Sequence, residues 1–205
     1  MNILLVVTSV GFKKYLLSKG VENTIEVVEN IPRFALDFPS LCSVKTKTLI
    51  LGYVGIFRYL KNYRYVLSLQ PERLNSALYG KSSLAIPQDL NYYGTFQKHD
   101  IAEVYRNIDI NFIYYSGRNE KLLTPNKFHE SILFLVPMII SDESWLADLI
   151  TEERIGISMT GVPEVDRERL SDLLINYNNY KKRIYEYRTR NSKIYCVANK
   201  NRSQA

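Results

Sequence analysis

The chain is poor in the residues from which metal and redox sites are built. Among its 205 residues there are two histidines, His99 and His129, and two cysteines, Cys42 and Cys196. A histidine-rich metal site is excluded. The cysteines are distant, match no zinc or redox spacing, and fit reduced thiols of a cytoplasmic protein. No apolar run approaches the ~18 residues that cross a bilayer. The segment "ILLVV" near the start is too short to span. It also lacks the basic front end and small-residue cleavage site of a signal peptide, so it reads as a buried strand. No GxGxxG is present, so a dinucleotide site of that type is not supported. No DxD-like metal motif stands at a strand end, because residues 107–109 read Asn-Ile-Asp. No metal site is expected.

What is there belongs to a globular chain, with 46% hydrophobic and 23% charged residues. Its length suits one or two domains. The net charge of +6 is uneven. Residues 181–205 hold eight Lys or Arg and one Glu, a net +7, which leaves the remainder at −1. The basicity belongs to the tail. A nucleic-acid-binding domain would spread it over a folded face, so nucleic acid is not the expected partner.

Apolar runs alternate with helical patterns. Strands are expected over "ILLVVT" (3–8), "TIEVVEN", "TLILGYVGIF", "LNSALYG", "LNYYG", "DINFIYYS" and "RIGISM". Helices are expected over 10–19, "YLKNYRYVLSL", "KHDIAEVYRNI" and "WLADLITEE". In the second of these, Leu60, Tyr63, Val66, Leu67 and Leu69 form the inner stripe. Residues 32–46 read as a loop. From Pro163 the pattern is helical, with a break near Asn178-Asn179. Strands that are apolar throughout, separated by helices, imply a parallel sheet covered on both faces. Such folds bind ligands beyond the carboxyl ends of their strands.

"TPNKFHESILFLVPMIIS" (124–141) carries the clearest chemistry. Thr124 suits an N-cap and Pro125 the first helical position. Pro137 is placed to stop the helix before a short strand. The helix start offers unpaired N–H groups and a positive dipole end, a site for a phosphate. Lys127 there opposes the dipole and costs stability unless an anion is near. Glu130, one turn on, can accept hydrogen bonds from the two adjacent hydroxyls of a ribose. The same spacing also serves an ordinary i,i+3 surface pair, and spacing alone favours that reading. A second candidate follows "TLILGYVG". Gly55 permits a sharp turn and close approach to a ligand. Arg58 and Lys61 in the next turn suit a diphosphate, or else a solvated basic face.

Taken in order, these stretches resemble the C-terminal, donor-binding domain of GT-B glycosyltransferases of the "glycosyl transferases group 1" type. "LILGYVGIFRYLKNY" is similar to that domain's first strand, glycine turn and Arg/Lys pair. "ALYGKS" and "LNYYGTF" resemble its second and third strands. "IAEVYRNIDINFIYYS" resembles the helix and strand entering the donor site, and "TPNKFHESILFLVPMIISD" the nucleotide-binding helix. "WLADLITEERIGISM" resembles the segment after it. The stretch "LLVVTSVGFKKYLLSKGVENTIEVVENIPR" resembles the last strand and helix of the N-terminal domain and the crossover out of it. The implied organisation is a remnant of that domain over 1–30, a Rossmann-like nucleotide-sugar domain over 31–180, and a basic helix and tail over 181–205. Many members carry two glutamates eight residues apart. Glu130 matches the second, but Leu122 stands at the first, with Glu120 out of register.

The resemblance implies an α/β, Rossmann-like half of a GT-B fold and retaining transfer from a nucleotide diphosphate sugar, in surface polysaccharide or glycan synthesis. No further cofactor is implied. Gly55, Thr124, Asn126, Lys127 and Glu130 would hold the donor. Arg58 and Lys61 would meet charge developing on the departing diphosphate. The carbohydrate or lipid-linked acceptor would require an N-terminal half that this chain lacks, so the chain alone is expected to bind donor without transferring sugar. The alternatives are a non-catalytic nucleotide-sugar module or truncated remnant, a nucleotide-sugar epimerase of similar architecture, and a nucleic-acid binder acting through its tail. With the N-terminal half absent, the aromatic surface of the last helices is expected to be exposed, self-associated or docked on anionic lipid.

Overall fold

The structure is a computed structural model that describes residues 3–32, 39–41, 48–83 and 85–195. Cys42, Cys196, most of the expected loop over 32–46 and the end of the tail lie outside these residues. Five strands form one parallel sheet in the order β4-β3-β5-β6-β7. They are β3 (Leu49–Ile56), β4 (Leu74–Lys81), β5 (Ile110–Ile113), β6 (Met138–Ser141) and β7 (Gly156–Met159). Between them run α2 (Leu60–Leu69), α3 (Ile101–Arg106), α4 (Asn126–Phe134) and α5 (Ala147–Glu152). After β7 come α6 (Pro163–Ile175), α7 (Tyr177–Arg190) and α8 (Ser192–Tyr195). The chain is thus an α/β, Rossmann-like fold, as its apolar strands foretold.

Alternate residues of the strands feed two cores. Leu51, Tyr53, Leu78, Ile110, Phe112 and Ile139 pack with Tyr63 and Val66 of α2 and Leu170 and Leu173 of α6. Val54, Ala77, Ile113, Met138 and Ile140 pack with α3, α4 and α5 on the other face. In α2 the buried residues are Leu60, Tyr63, Val66 and Leu69, while Leu67 only borders the core.

The chain goes outward from β3 to β4 and then crosses back to β5 on the other side of β3. That reversal is a topological switch point. β5 pairs with β3 only through Leu51–Ile110 and Gly52–Asn111, whereas β3 and β4 stay paired to Ile56–Lys81. The carboxyl ends of β3 and β5 therefore diverge, and a crevice opens between them.

Several details depart from expectation. The N-terminal strand, which lies outside this sheet, is less buried than expected. β1 (Leu5–Val7) pairs in parallel with β2 (Ile25–Val27) alone, flanked by α1 (Val10–Ser18). Ile3, Leu4 and Val6 are exposed rather than buried. Apolar composition marked the strand, but it carries no information about whether the main sheet would accept it. "LNYYG" forms only an isolated bridge, Leu78 to Tyr92, although it follows β4: the Leu78 N–H donates to the Asn91 oxygen, the Tyr93 N–H to the Leu78 oxygen and the Gly80 N–H to the Gly94 oxygen. The break between α6 and α7 falls at Asn176, earlier than Asn178-Asn179. α4 ends before Pro137, at Leu135, which adopts φ +59°.

The last helices are not a free aromatic surface. Tyr177 and Tyr180 join one core, and Ile184 and Tyr195 the other. The Tyr177 hydroxyl donates to the backbone oxygen of Asp109 at the start of β5 (3.0 Å). α7 therefore crosses the amino ends of the strands, opposite the crevice. Arg188, only 5% exposed, donates to the backbone oxygens of Leu133 (2.6 Å) and Pro39 (3.1 Å). Its guanidinium sits at the C-terminal, negative end of α4. No described helix is long and apolar enough to cross a membrane.

Candidate functional site

The crevice at the switch point is a cleft of about 610 Å³. α4 supplies Asn126, Lys127 and Glu130, and β3 supplies Val54 and Gly55. Phe96, Lys98 and Ile101 close one side, and Asn30, Ile31 and Pro32 another. Polar groups thus converge on one wall while Val54, Phe96, Ile101, Ile31 and Pro32 line an apolar remainder, the usual make-up of a small-molecule site.

Two glycines make the approach possible. Gly55 has φ +109°, and a Cβ built on it would lie 3.0 Å from Lys127 Cε and 3.1 Å from Nζ. Gly80 lies opposite it in β4 with φ +146°, and a Cβ there would overlap the Gly55 carbonyl oxygen at 1.8 Å. Side chains at either position would close the end of the sheet over which Lys127 lies.

Lys127 is half-buried. Its ammonium lies 5.4 Å from the centre of the Tyr53 ring and 5.8 Å from that of Tyr115. No carboxylate lies within 4.0 Å of it among the described residues. Burial lowers its pKa to about 8; Glu130 opposes the shift and Arg58 adds to it. Lys127 and Glu130 are not a solvated i,i+3 pair. They are two separate polar groups turned into one cleft.

Glu130 is held from behind. The hydroxyl of fully buried Tyr105, on α3, donates to its Oε2 (2.9 Å). Asn111 Nδ2, on β5, donates to that same Tyr105 oxygen (3.0 Å) and to Ser131 Oγ (2.8 Å). Burial raises the Glu130 pKa, while Tyr105 and Lys127 pull it back. The network fixes one carboxylate oxygen on Tyr105, and a carboxylate oxygen has capacity to accept more than one hydrogen bond.

Thr124 does not cap α4. The N-cap is Pro125, with no side-chain hydrogen bond. The buried Thr124 hydroxyl instead donates to Glu29 Oε1 (3.2 Å), outside the helix. Proline at the N-cap leaves the first turn without the expected side-chain acceptor.

Arg58 lies beside the cleft rather than in its lining. Its Nη1 pairs with Glu120 Oε1 at 2.5 Å, and the Tyr59 hydroxyl donates to the other oxygen of Glu120. A diphosphate here would have to displace or share that carboxylate. The turn itself is tied down by Tyr53, whose hydroxyl accepts the backbone N–H groups of Arg58 (3.1 Å) and Tyr59 (3.2 Å). Lys61 is exposed on α2 and is not among the residues lining the cleft. The structure thus gathers Gly55, Asn126, Lys127 and Glu130, sets Arg58 and Thr124 at the margin, and leaves Lys61 outside. It adds Tyr53, Tyr105, Asn111, Tyr115, Lys98 and Glu120. Of these, only Glu120 carried a sequence signal, its nearness to the position of the first family glutamate.

A second, basic cleft of about 420 Å³ lies at the α6–α7 junction, lined by Arg154, Lys182, Arg183 and Glu186. Arg154 pairs with Asp172 (3.6 Å), and Lys182 and Arg183 share Glu186 (4.0 and 3.1 Å). Arg190 pairs with Glu153 at 2.5 Å. Among the described residues of the basic tail, Lys182, Arg183 and Arg190 thus have acidic partners, and Arg188 is buried.

No family model matches the chain, and no curated protein does. Solved structures do. A variant of TarM from S. aureus, in complex with fondaparinux, α-GlcNAc-glycerol and UDP, is 13% identical with a TM-score of 0.68. The match covers 93% of this chain and 40% of that one. The lipopolysaccharide outer core galactosyltransferase WaaB is 17% identical, TM-score 0.59, covering 93% of this chain and 61% of its own. WaaG, a glycosyltransferase involved in lipopolysaccharide biosynthesis, is 12% identical, TM-score 0.54, covering 87% and 46%. At these identities the likeness is one of fold. The chain has the fold of one half of a GT-B glycosyltransferase, and it spans between 40% and 61% of the length of these structures.

Proposed function

We propose that the chain is the donor-binding half of a retaining glycosyltransferase that uses a nucleotide diphosphate sugar. The observation that carries the reading is the Lys127–Glu130 arrangement. One helix turns a carboxylate-free, aromatic-flanked ammonium and a back-braced carboxylate into the same cleft, over a glycine at a topological switch point. Lys127 would meet a phosphate together with the positive end of α4. Glu130 would accept the ribose hydroxyls, and the apolar part of the cleft would take the base. As the sugar–phosphate bond breaks, charge grows on the leaving diphosphate. Lys127 lies in the cleft to oppose that charge, and Arg58 beside it once Glu120 yields. TarM, a neighbour in fold, was solved with UDP, which supports this class of ligand.

Transfer needs an acceptor, and in this reading a further domain supplies it. A parallel sheet of two strands is rarely stable by itself. β1 and β2 make such a sheet, with Ile3, Leu4, Val6 and Val28 exposed around it. They would continue into that second half, in polysaccharide or glycan synthesis. The 205-residue chain alone would bind donor and transfer no sugar; robust transfer by it would contradict this reading.

Calorimetry with UDP, GDP, uridine, guanosine and a single-stranded RNA tests the binding class. Binding of a nucleoside diphosphate in preference to the nucleoside is expected. Tight RNA binding with no nucleotide affinity would overturn the proposal.

A further inference from the structure

Glu29 follows β2 and is joined to the strap that walls the cleft, since Asn30, Ile31 and Pro32 line it directly. The Ile31 side chain packs on the core, and its N–H donates to the Glu29 backbone oxygen (3.0 Å). The Glu29 carboxylate reaches across to the nucleotide helix. One oxygen accepts from Thr124 (3.2 Å), and the other stands 3.9 Å from Nε2 of His129. His129 is 1% exposed, directly beside Glu130 on α4. Its Nδ1 meets the Tyr195 hydroxyl at 3.3 Å, and its Nε2 has no hydrogen-bond partner.

The tautomer follows from these contacts. A bare Nε2 lone pair facing a carboxylate would be repelled, so Nε2 carries the proton and Nδ1 accepts from Tyr195. A buried N–H then stands 3.9 Å from a carboxylate oxygen, just beyond hydrogen-bond reach. Such an orphaned donor favours any movement that satisfies it. A small shift of the strap would satisfy it, and a ligand between strap and helix would draw it that way.

We propose that Glu29 is a positioning residue. Braced by Thr124, its carboxylate closes onto the Nε2–H of His129 when a nucleoside diphosphate fills the cleft, and it brings residues 30–32 down over the ligand. The closure rests on the donor-site reading; the ligand-free brace does not.

Hydrogen exchange of the Ile31 amide and the ring resonances of His129 are followed in wild type, Glu29→Ala and Glu29→Gln, each with and without UDP. Without UDP, Glu29→Ala speeds exchange at Ile31 by roughly tenfold, the loss expected for a charge-assisted hydrogen bond. Glu29→Gln, which still accepts from Thr124, falls between. With UDP, the His129 Nε2–H resonance of wild type moves downfield and its exchange slows; in Glu29→Ala it does neither, and UDP binds several-fold more weakly. Ile31 exchange that ignores Glu29→Ala, or a His129 response to UDP that is the same in wild type and Glu29→Ala, overturns the latch while leaving UDP binding intact. A wild type that fails to bind UDP overturns the donor-site reading and the closure with it, whatever the ligand-free exchange shows.

Discussion

Replacing Lys127 with methionine should make the protein more stable and less able to bind nucleotide. The stem of the side chain is kept and only the charge is lost. Burial, reinforced by Arg58, lowers the lysine pKa from 10.5 to about 8. The folded chain thus holds this proton less readily than the unfolded chain, and the difference is worth about 3 kcal/mol against the fold at neutral pH. The Tyr53 and Tyr115 rings return part of it, on the order of 1 kcal/mol. The net gain expected for Lys127→Met near pH 7 is about 1–2 kcal/mol, or a Tm higher by roughly 3–6 °C for a chain of this size. Wild-type stability should rise between about pH 8 and 10.5 as the lysine loses its proton in the unfolded state too, and the two proteins should converge there. UDP affinity should fall about tenfold or more in the variant. In wild type near pH 8, binding should take up a proton, seen as an enthalpy that depends on the buffer. Thermal melts across pH and calorimetry test this. A Lys127→Met protein that is less stable than wild type, or that binds UDP equally well, refutes the reasoning.

Glu130→Gln should weaken nucleotide binding by about 1.5–3 kcal/mol with little loss of fold, and Tyr105→Phe should do so by less, because it removes only the brace; equal affinities by calorimetry would move the ribose contact elsewhere. Arg58→Ala should weaken UDP more than uridine, whereas Lys61→Ala, on the exposed side of α2, should be nearly silent; a large Lys61 effect would place the diphosphate over α2 instead. Gly55→Ala should cost about 1–3 kcal/mol from its positive φ, and should impair binding by displacing Lys127, measurable as a lowered melting midpoint with weaker UDP affinity.

The parts of this fold that were legible are those fixed locally. β3 to β7 are apolar on both faces because both faces are covered, and α2 shows its stripe because one side meets the sheet. Lys127 and Glu130 share a helix, so their common direction follows from spacing. The rest depends on residues distant in the chain. Tyr53 flanks Lys127 from β3 and Tyr115 from the segment after β5, and Tyr105 of α3 reaches Glu130, backed by Asn111 of β5. Glu29 and Thr124 are 95 positions apart. No periodicity announces such contacts. The same limit explains the misplaced N-cap, the exposed N-terminal strand and the last helices, where Tyr177, Tyr180 and Tyr195 fill the two cores while Tyr185 stays exposed.

The central claim is that the cleft between β3 and α4 receives a nucleoside diphosphate. Amide resonances of the isotopically labelled chain, followed as UDP is added, address it most directly. The account expects the largest shifts at Gly55, Asn126, Lys127 and Glu130, with smaller ones at Phe96 and Lys98. Shifts gathered instead around Arg154, Lys182 and Arg183 at the opposite end of the sheet, or none at millimolar UDP or GDP, would contradict it.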